Sequence, residues 1–111
     1  MKIIFKNMES SENVKAVIVE RMSHILEKYP SARDHRITFT LEMENSPFQA
    51  GPDRFNASAL ISGKVFKLRI KRSSQNLYQS IADLAEGFNQ LMSREADRVL
   101  KLQQRSEKIA S

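Results

Sequence analysis

The sequence predicts an α+β domain in the order β-α-β-β-β-α, one four-stranded sheet with two helices packed on one face. Three observations lead there: two segments repeat apolar residues every three or four positions, three segments alternate apolar with polar residues, and a short apolar run opens the chain. Each strand then has one apolar face and each helix one apolar stripe, so a single sheet face covered by both helices buries them all. With 111 residues, the chain is long enough for one core and too short for two. Residues 1–111 are therefore expected to form a single domain.

The elements follow in order. Lys2 to Met8 is short, apolar and β-prone. Glu9-Ser10-Ser11-Glu12 follows, where a serine can cap a helix and the acid favours its first turn. From Val14 onward, Val17, Ile18, Met22, Ile25, Leu26 and Tyr29 share one helical stripe, and Pro30 ends it. Arg36 to Glu44 alternates, with Ile37, Phe39, Leu41 and Met43 on one side and Arg36, Thr38, Thr40, Glu42 and Glu44 on the other. Asn45 to Asp53, with two prolines and a glycine, reads as a loop. Arg54 to Ser62 alternates again, with Phe55, Ala57, Ala59 and Ile61 inward, and Ser62-Gly63-Lys64 signals a tight turn into a hairpin partner.

In that partner, Phe66, Leu68 and Ile70 face inward, and Val65, Lys67, Arg69 and Lys71 face outward. Ser73-Ser74-Gln75-Asn76 offers several caps for a long helix marked by Leu77, Ile81, Leu84, Phe88, Leu91, Met92, Val99 and Leu102. The order in which the strands pair is not legible from these patterns.

Composition narrows the function. Hydrophobic residues make up 41% and charged residues 28%, the balance of a folded soluble domain. Without cysteine there is no disulfide, thiolate metal site or cysteine nucleophile, which fits a reducing compartment. No apolar run approaches the roughly 20 residues that cross a bilayer, and the N-terminus lacks the apolar core of a signal peptide. A cytoplasmic location and no membrane partner are the resulting expectations.

Eighteen Lys and Arg against thirteen Asp and Glu give a formal charge of +5 and suggest an anionic partner. Between Arg54 and Ala82 there are six basic residues and no acid, so the charge is concentrated. On the long helix, Arg94, Arg98, Lys101, Arg105 and Lys108 fall within about an 80° arc. Like charges four residues apart each cost a few tenths of a kcal/mol in an isolated helix, which an anionic partner would offset. The alternative is a solvated face supported by pairs such as Asp97 with Lys101.

A second row, Lys67, Arg69 and Lys71 with Arg72 and Lys64 flanking it, lies on the last strand, where lysines can also serve only to block edge pairing. A third group, Arg21, His24 and Lys28, lies on the first helix, where a solvated flank is the plainer reading. If residues 76 to 106 are all helical the rod is about 46 Å long. A compact chain of this size has a radius of gyration near 13 Å, so the basic end from about residue 94 must project or fray.

Rows of this kind suit a phosphate backbone, because each cation that neutralises a phosphate also releases condensed counterions. Paired aromatics for base stacking are absent, and Phe55 and Phe66 turn inward, so shape and backbone recognition of folded RNA is expected. No glycine-rich phosphate loop or nucleophile motif occurs, and His24 and His35 have no spaced carboxylates for a metal site. The pair Glu42 and Glu44 reads as solvated sheet surface. The expectation is a binding protein: no catalytic residue, no metal, no cofactor and no small-molecule substrate.

The chain resembles the family of ribosome hibernation-promoting factors and ribosome-associated translation inhibitors, in its short form. Met1-Lys2-Ile3-Ile4-Phe5 is similar to the family's opening strand, and Arg21-Met22-Ser23-His24 and Leu26-Glu27-Lys28-Tyr29 resemble the end of its first helix. Leu77-Tyr78-Gln79-Ser80-Ile81-Ala82-Asp83 resembles the acidic-x-Tyr-x-Ala-Ile segment that opens the last helix, and Pro47, Gly51 and Phe55 resemble a branch with a proline and glycine loop. The departures are Asn76 where an acid is usual, Gly87 and Gln90 where many members carry Lys or Arg, and His24 in place of a common lysine.

The resemblance implies a fold like the double-stranded-RNA-binding domain. It implies a partner, the small ribosomal subunit and its ribosomal RNA, bound where messenger and transfer RNA sit, so that translation stops in stressed or stationary cells. Arg21, His24, Lys71, Arg72 and Arg94 match the family's basic surface, and Lys28, Lys67, Arg69, Arg98, Lys101 and Arg105 extend it by the spacing argument. The protein is expected to be a monomer off the ribosome. The rival readings are a general binder of structured RNA or DNA without ribosome preference, and a module whose basic surface meets an acidic protein.

Overall fold

In the computed structural model the described residues are 1–44, 53–63 and 67–110, with side chains described as far as residue 97 apart from Ser31 and Ala96. Of the expected loop from Asn45 to Asp53, residues 45–52, with Pro47 and Gly51, lie outside them. So do Lys64, Val65, Phe66 and the side chains of Arg98, Lys101 and Arg105. The order is β1 (Lys2–Lys6), α1 (Glu12–Lys28), a 3-10 turn (Pro30–Asp34), β2 (Arg36–Glu44), β3 (Arg54–Ser62), β4 (Lys67–Ser74) and α2 (Leu77–Ala110). This is the expected β-α-β-β-β-α series.

Local chemistry explains the boundaries. The left-handed turn after β1 falls on Asn7 (φ 55°), a residue whose short polar side chain tolerates that conformation. Ser11 caps α1 by accepting from the Val14 amide at 3.3 Å, and Glu12 and Lys15 pair at 3.3 Å in the first turn. Pro30 ends α1 but also begins the 3-10 turn, since its fixed φ suits a first helical position. Among the candidate caps of α2, Asn76 is the one used: its side-chain oxygen accepts from the Tyr78 amide at 2.9 Å and from the Gln79 amide at 3.4 Å.

The strands lie in the order β1-β2-β3-β4, with β1 parallel to β2 and the other pairs antiparallel. α1 is the crossover that parallel pairing needs, which puts the first edge strand beside β2. Val14, Ile18, Met22 and Ile25 of α1 and Ile81, Leu84, Phe88 and Met92 of α2 close over Ile37, Phe39, Leu41, Ala57, Ala59 and Ile61 in one core. The small Ala57 and Ala59 let α2 approach the sheet closely.

β4 is described from Lys67 and runs on past the expected Arg72 to Ser74, while the expected strand residues Val65 and Phe66 lie outside the described residues. Its extension is held by hydroxyls: Ser73 bonds the Asn56 side chain at 2.5 Å, while Ser74 and Ser80 share a 2.7 Å bond. Ser80 is fully buried and donates to the Phe55 carbonyl at 2.8 Å, tying α2 to β3. Leu68 lies on the helix side opposite Ile61, yet it stands on an edge strand and stays 39% exposed. The last buried residue described on α2 is Met92, and the helix backbone continues to Ala110. The radius of gyration is 17.1 Å and the long axis 65 Å, so the helix end projects rather than folding back.

Candidate nucleic-acid interface

β4 is the sheet's second edge, and its alternation distributes cations to both faces. Lys67, Arg69 and Lys71 stand opposite Ser62, Leu60 and Ser58 on the outer face, away from the helices. Arg72 stands opposite Ala57 and so points to the helix side. The sequence reading placed Arg72 as a flank of the outer row; strand alternation puts it on the opposite face from that row.

On the helix side, Arg72 lies against Gly87 of α2. A β-carbon at Gly87 would meet an Arg72 guanidinium nitrogen at 2.9 Å and its central carbon at 3.3 Å. Gly87 has no positive φ, so what matters at this position is its size and not its backbone freedom. Another guanidinium nitrogen of Arg72 donates to the Lys71 carbonyl at 2.9 Å, which holds the group beside the helix. Arg72, Gly87, Gln90, Leu91 and Arg94 line a cleft between β4 and α2 whose rim includes Arg69 and Lys71.

The α1 group lies elsewhere. Arg21 is exposed but its stem borders the seam between the helices, near Ile81, Leu84 and Ala85. His24 is exposed, and Lys28, at the end of α1, sits 5.5 Å over the Tyr29 ring. Of the sequence-derived residues, Arg69, Lys71, Arg72 and Arg94 are thus brought together, Lys67 extends their row, and Arg21, His24 and Lys28 are not joined to them. Arg98, Lys101 and Arg105 lie on the projecting part of α2.

Lys67, Arg69, Lys71, Arg72 and Arg94 are all exposed, and among the described residues none is in an ion pair. Exposed cations that no described carboxylate engages can neutralise an external anion without first breaking a salt bridge. Gly87 was noted in the sequence only as a missing charge. Its role in seating Arg72 has no sequence signal, since it depends on which strand lies beneath α2. No three His, Asp or Glu among the described residues could hold a metal ion, and no helix there is long and apolar enough to cross a membrane.

Fold and interface together define a class: a β-α-β unit with adjacent parallel strands, extended by an antiparallel hairpin, carrying two helices on one side and a basic edge strand. No family model matches the sequence, and no curated protein matches it. Two solved structures share the fold. A ribosomal subunit interface protein from Coxiella burnetii matches with a TM-score of 0.64 at 10% identity, over 87% of this chain and 99% of that one. The Protein Y N-terminal domain of Thermus thermophilus matches with a TM-score of 0.60 at 12% identity, over 84% and 93%. At 10% and 12% identity these two likenesses show a shared fold.

Proposed function

We propose that this protein is a ribosome-associated translation inhibitor of the hibernation-factor kind. It binds the small ribosomal subunit in the cytoplasm, at the sites of messenger and transfer RNA, under stress or in stationary phase. The observation that carries this reading is the exposed cation group at the β4–α2 edge, in no ion pair among the described residues, set on a fold shared over nearly the whole length of a ribosomal subunit interface protein. Phosphate contacts from Arg69, Lys71, Arg72 and Arg94 supply affinity and orientation without reading base identity. Inhibition follows from occupancy: a protein seated where messenger and transfer RNA belong needs no chemistry to stop initiation.

Sedimentation of the protein with purified small subunits through a sucrose gradient at low salt tests this directly. Co-migration with the subunits, and its loss on adding excess messenger and transfer RNA, is the expected result. Protein that stays at the top of the gradient overturns the reading. Equal displacement by any RNA duplex would instead mark a general structured-RNA binder.

A further inference from the structure

Pairing register gathers onto the outer sheet face cations that are distant in sequence. One rung of the ladder carries Arg36, Ser62 and Lys67; the next carries Lys2, Thr38, Leu60 and Arg69; the third carries Ile4, Thr40, Ser58 and Lys71. Five cations and no carboxylate occupy these three rungs. Glu42, on the next rung beside Lys6, borders a pocket with Arg69 and Lys71, and Glu44 lies farther off beside Arg54, so the three rungs themselves carry only positive charge. At ordinary strand spacing the three rungs measure about 14 Å across the strands and about 13 Å along them.

These five side chains are exposed, and among the described residues none is in an ion pair. Like charges on one sheet face repel, a cost in the free chain that an anionic partner removes. The neighbouring groups indicate which anion. Thr38, Thr40, Ser58 and Ser62 set hydroxyls between the cations, the large apolar side chains are only Ile4 and Leu60, and no aromatic ring stands on these rungs. A protein partner would need a central apolar or aromatic anchor, and base stacking would need rings. Phosphates and ribose hydroxyls need only cations and hydroxyls.

Arg72 and Arg94 occupy the opposite side of the sheet, in the β4–α2 cleft. We propose that the outer face is a second RNA surface, on which Lys2, Arg36 and Lys67 take the phosphate-ribose backbone of one segment while the cleft holds another, with Arg69 and Lys71 on the edge that the two surfaces share. The chain then joins two RNA segments. This rests on the RNA-binding reading above, and adds to it a second, simultaneous contact.

The test uses RNA duplexes of about 16 base pairs, half labelled with a donor dye and half with an acceptor, mixed with the full chain. The expected result is energy transfer at substoichiometric protein. A Lys2→Gln, Arg36→Gln variant should still bind one duplex, abolish the transfer and lower the salt slope of binding by about two units. An Arg72→Gln, Arg94→Gln variant should also lose transfer while binding through the outer face. Unchanged transfer in the Lys2 and Arg36 variant, or transfer surviving in both variants, overturns the proposal. So does a wild-type chain that binds duplex one to one without transfer, and that outcome leaves the RNA-binding reading intact. A wild-type chain that binds no RNA overturns both.

Discussion

At the scale of single residues, Gly87 is the position where size decides how the Arg72 guanidinium sits. Glycine inside a helix costs roughly 0.5–1 kcal/mol relative to alanine, so Gly87→Ala should gain helix propensity. Against that gain, the new β-carbon would stand 2.9 Å from the Arg72 guanidinium and must displace it. The displaced atoms are the flexible end of an exposed side chain, so the fold should tolerate the change. We expect a thermal midpoint equal to or slightly above the wild type, together with weaker RNA binding. In an Arg72→Gln background the same Gly87→Ala change should cost no further affinity. An equal loss in both backgrounds would show that Gly87 acts on its own and not through Arg72.

Among the elements, α2 has two different halves. Its first four turns bury Ser80, Ile81, Leu84, Phe88 and Met92, and are tied to β3 by the bond from Ser80 to the Phe55 carbonyl. Its second half extends past the core, and no buried contact described there fixes it. Changing Arg98, Lys101 and Arg105 together to Gln keeps helix propensity nearly constant and removes like-charge repulsion. The helical circular dichroism signal should therefore persist while the variant releases small subunits and restores translation in a cell-free assay. Inhibition at the wild-type concentration would assign those three residues to a solvated face, and leave function with β4 and the first half of α2.

For the whole molecule, the formal charge of +5 is less informative than its division between two sides of one sheet. Binding through several phosphate contacts should fall by orders of magnitude between about 50 and 200 mM salt. Titration of small-subunit binding against salt measures this, and a flat response would exclude a phosphate-based mechanism. The projecting helix adds reach: with a long axis of 65 Å against 27 Å and 22 Å, the chain extends well beyond the footprint of its core.

The local patterns of the sequence determined the element order, the inward faces and the core. Apolar periodicity is a property of each segment alone, and burying Ile18, Phe39, Ile61 and Phe88 requires little choice once the segments exist. The basic residues of β4 and α2 were legible in the same way. Strand order and register were not, because pairing is a contest among long-range alternatives that local spacing does not encode. Only the tertiary structure therefore set Arg72 over Gly87 and aligned Lys2 and Arg36 with Lys67 and Arg69. Charge content is written residue by residue, whereas the surface on which a charge acts is decided by which strands lie side by side.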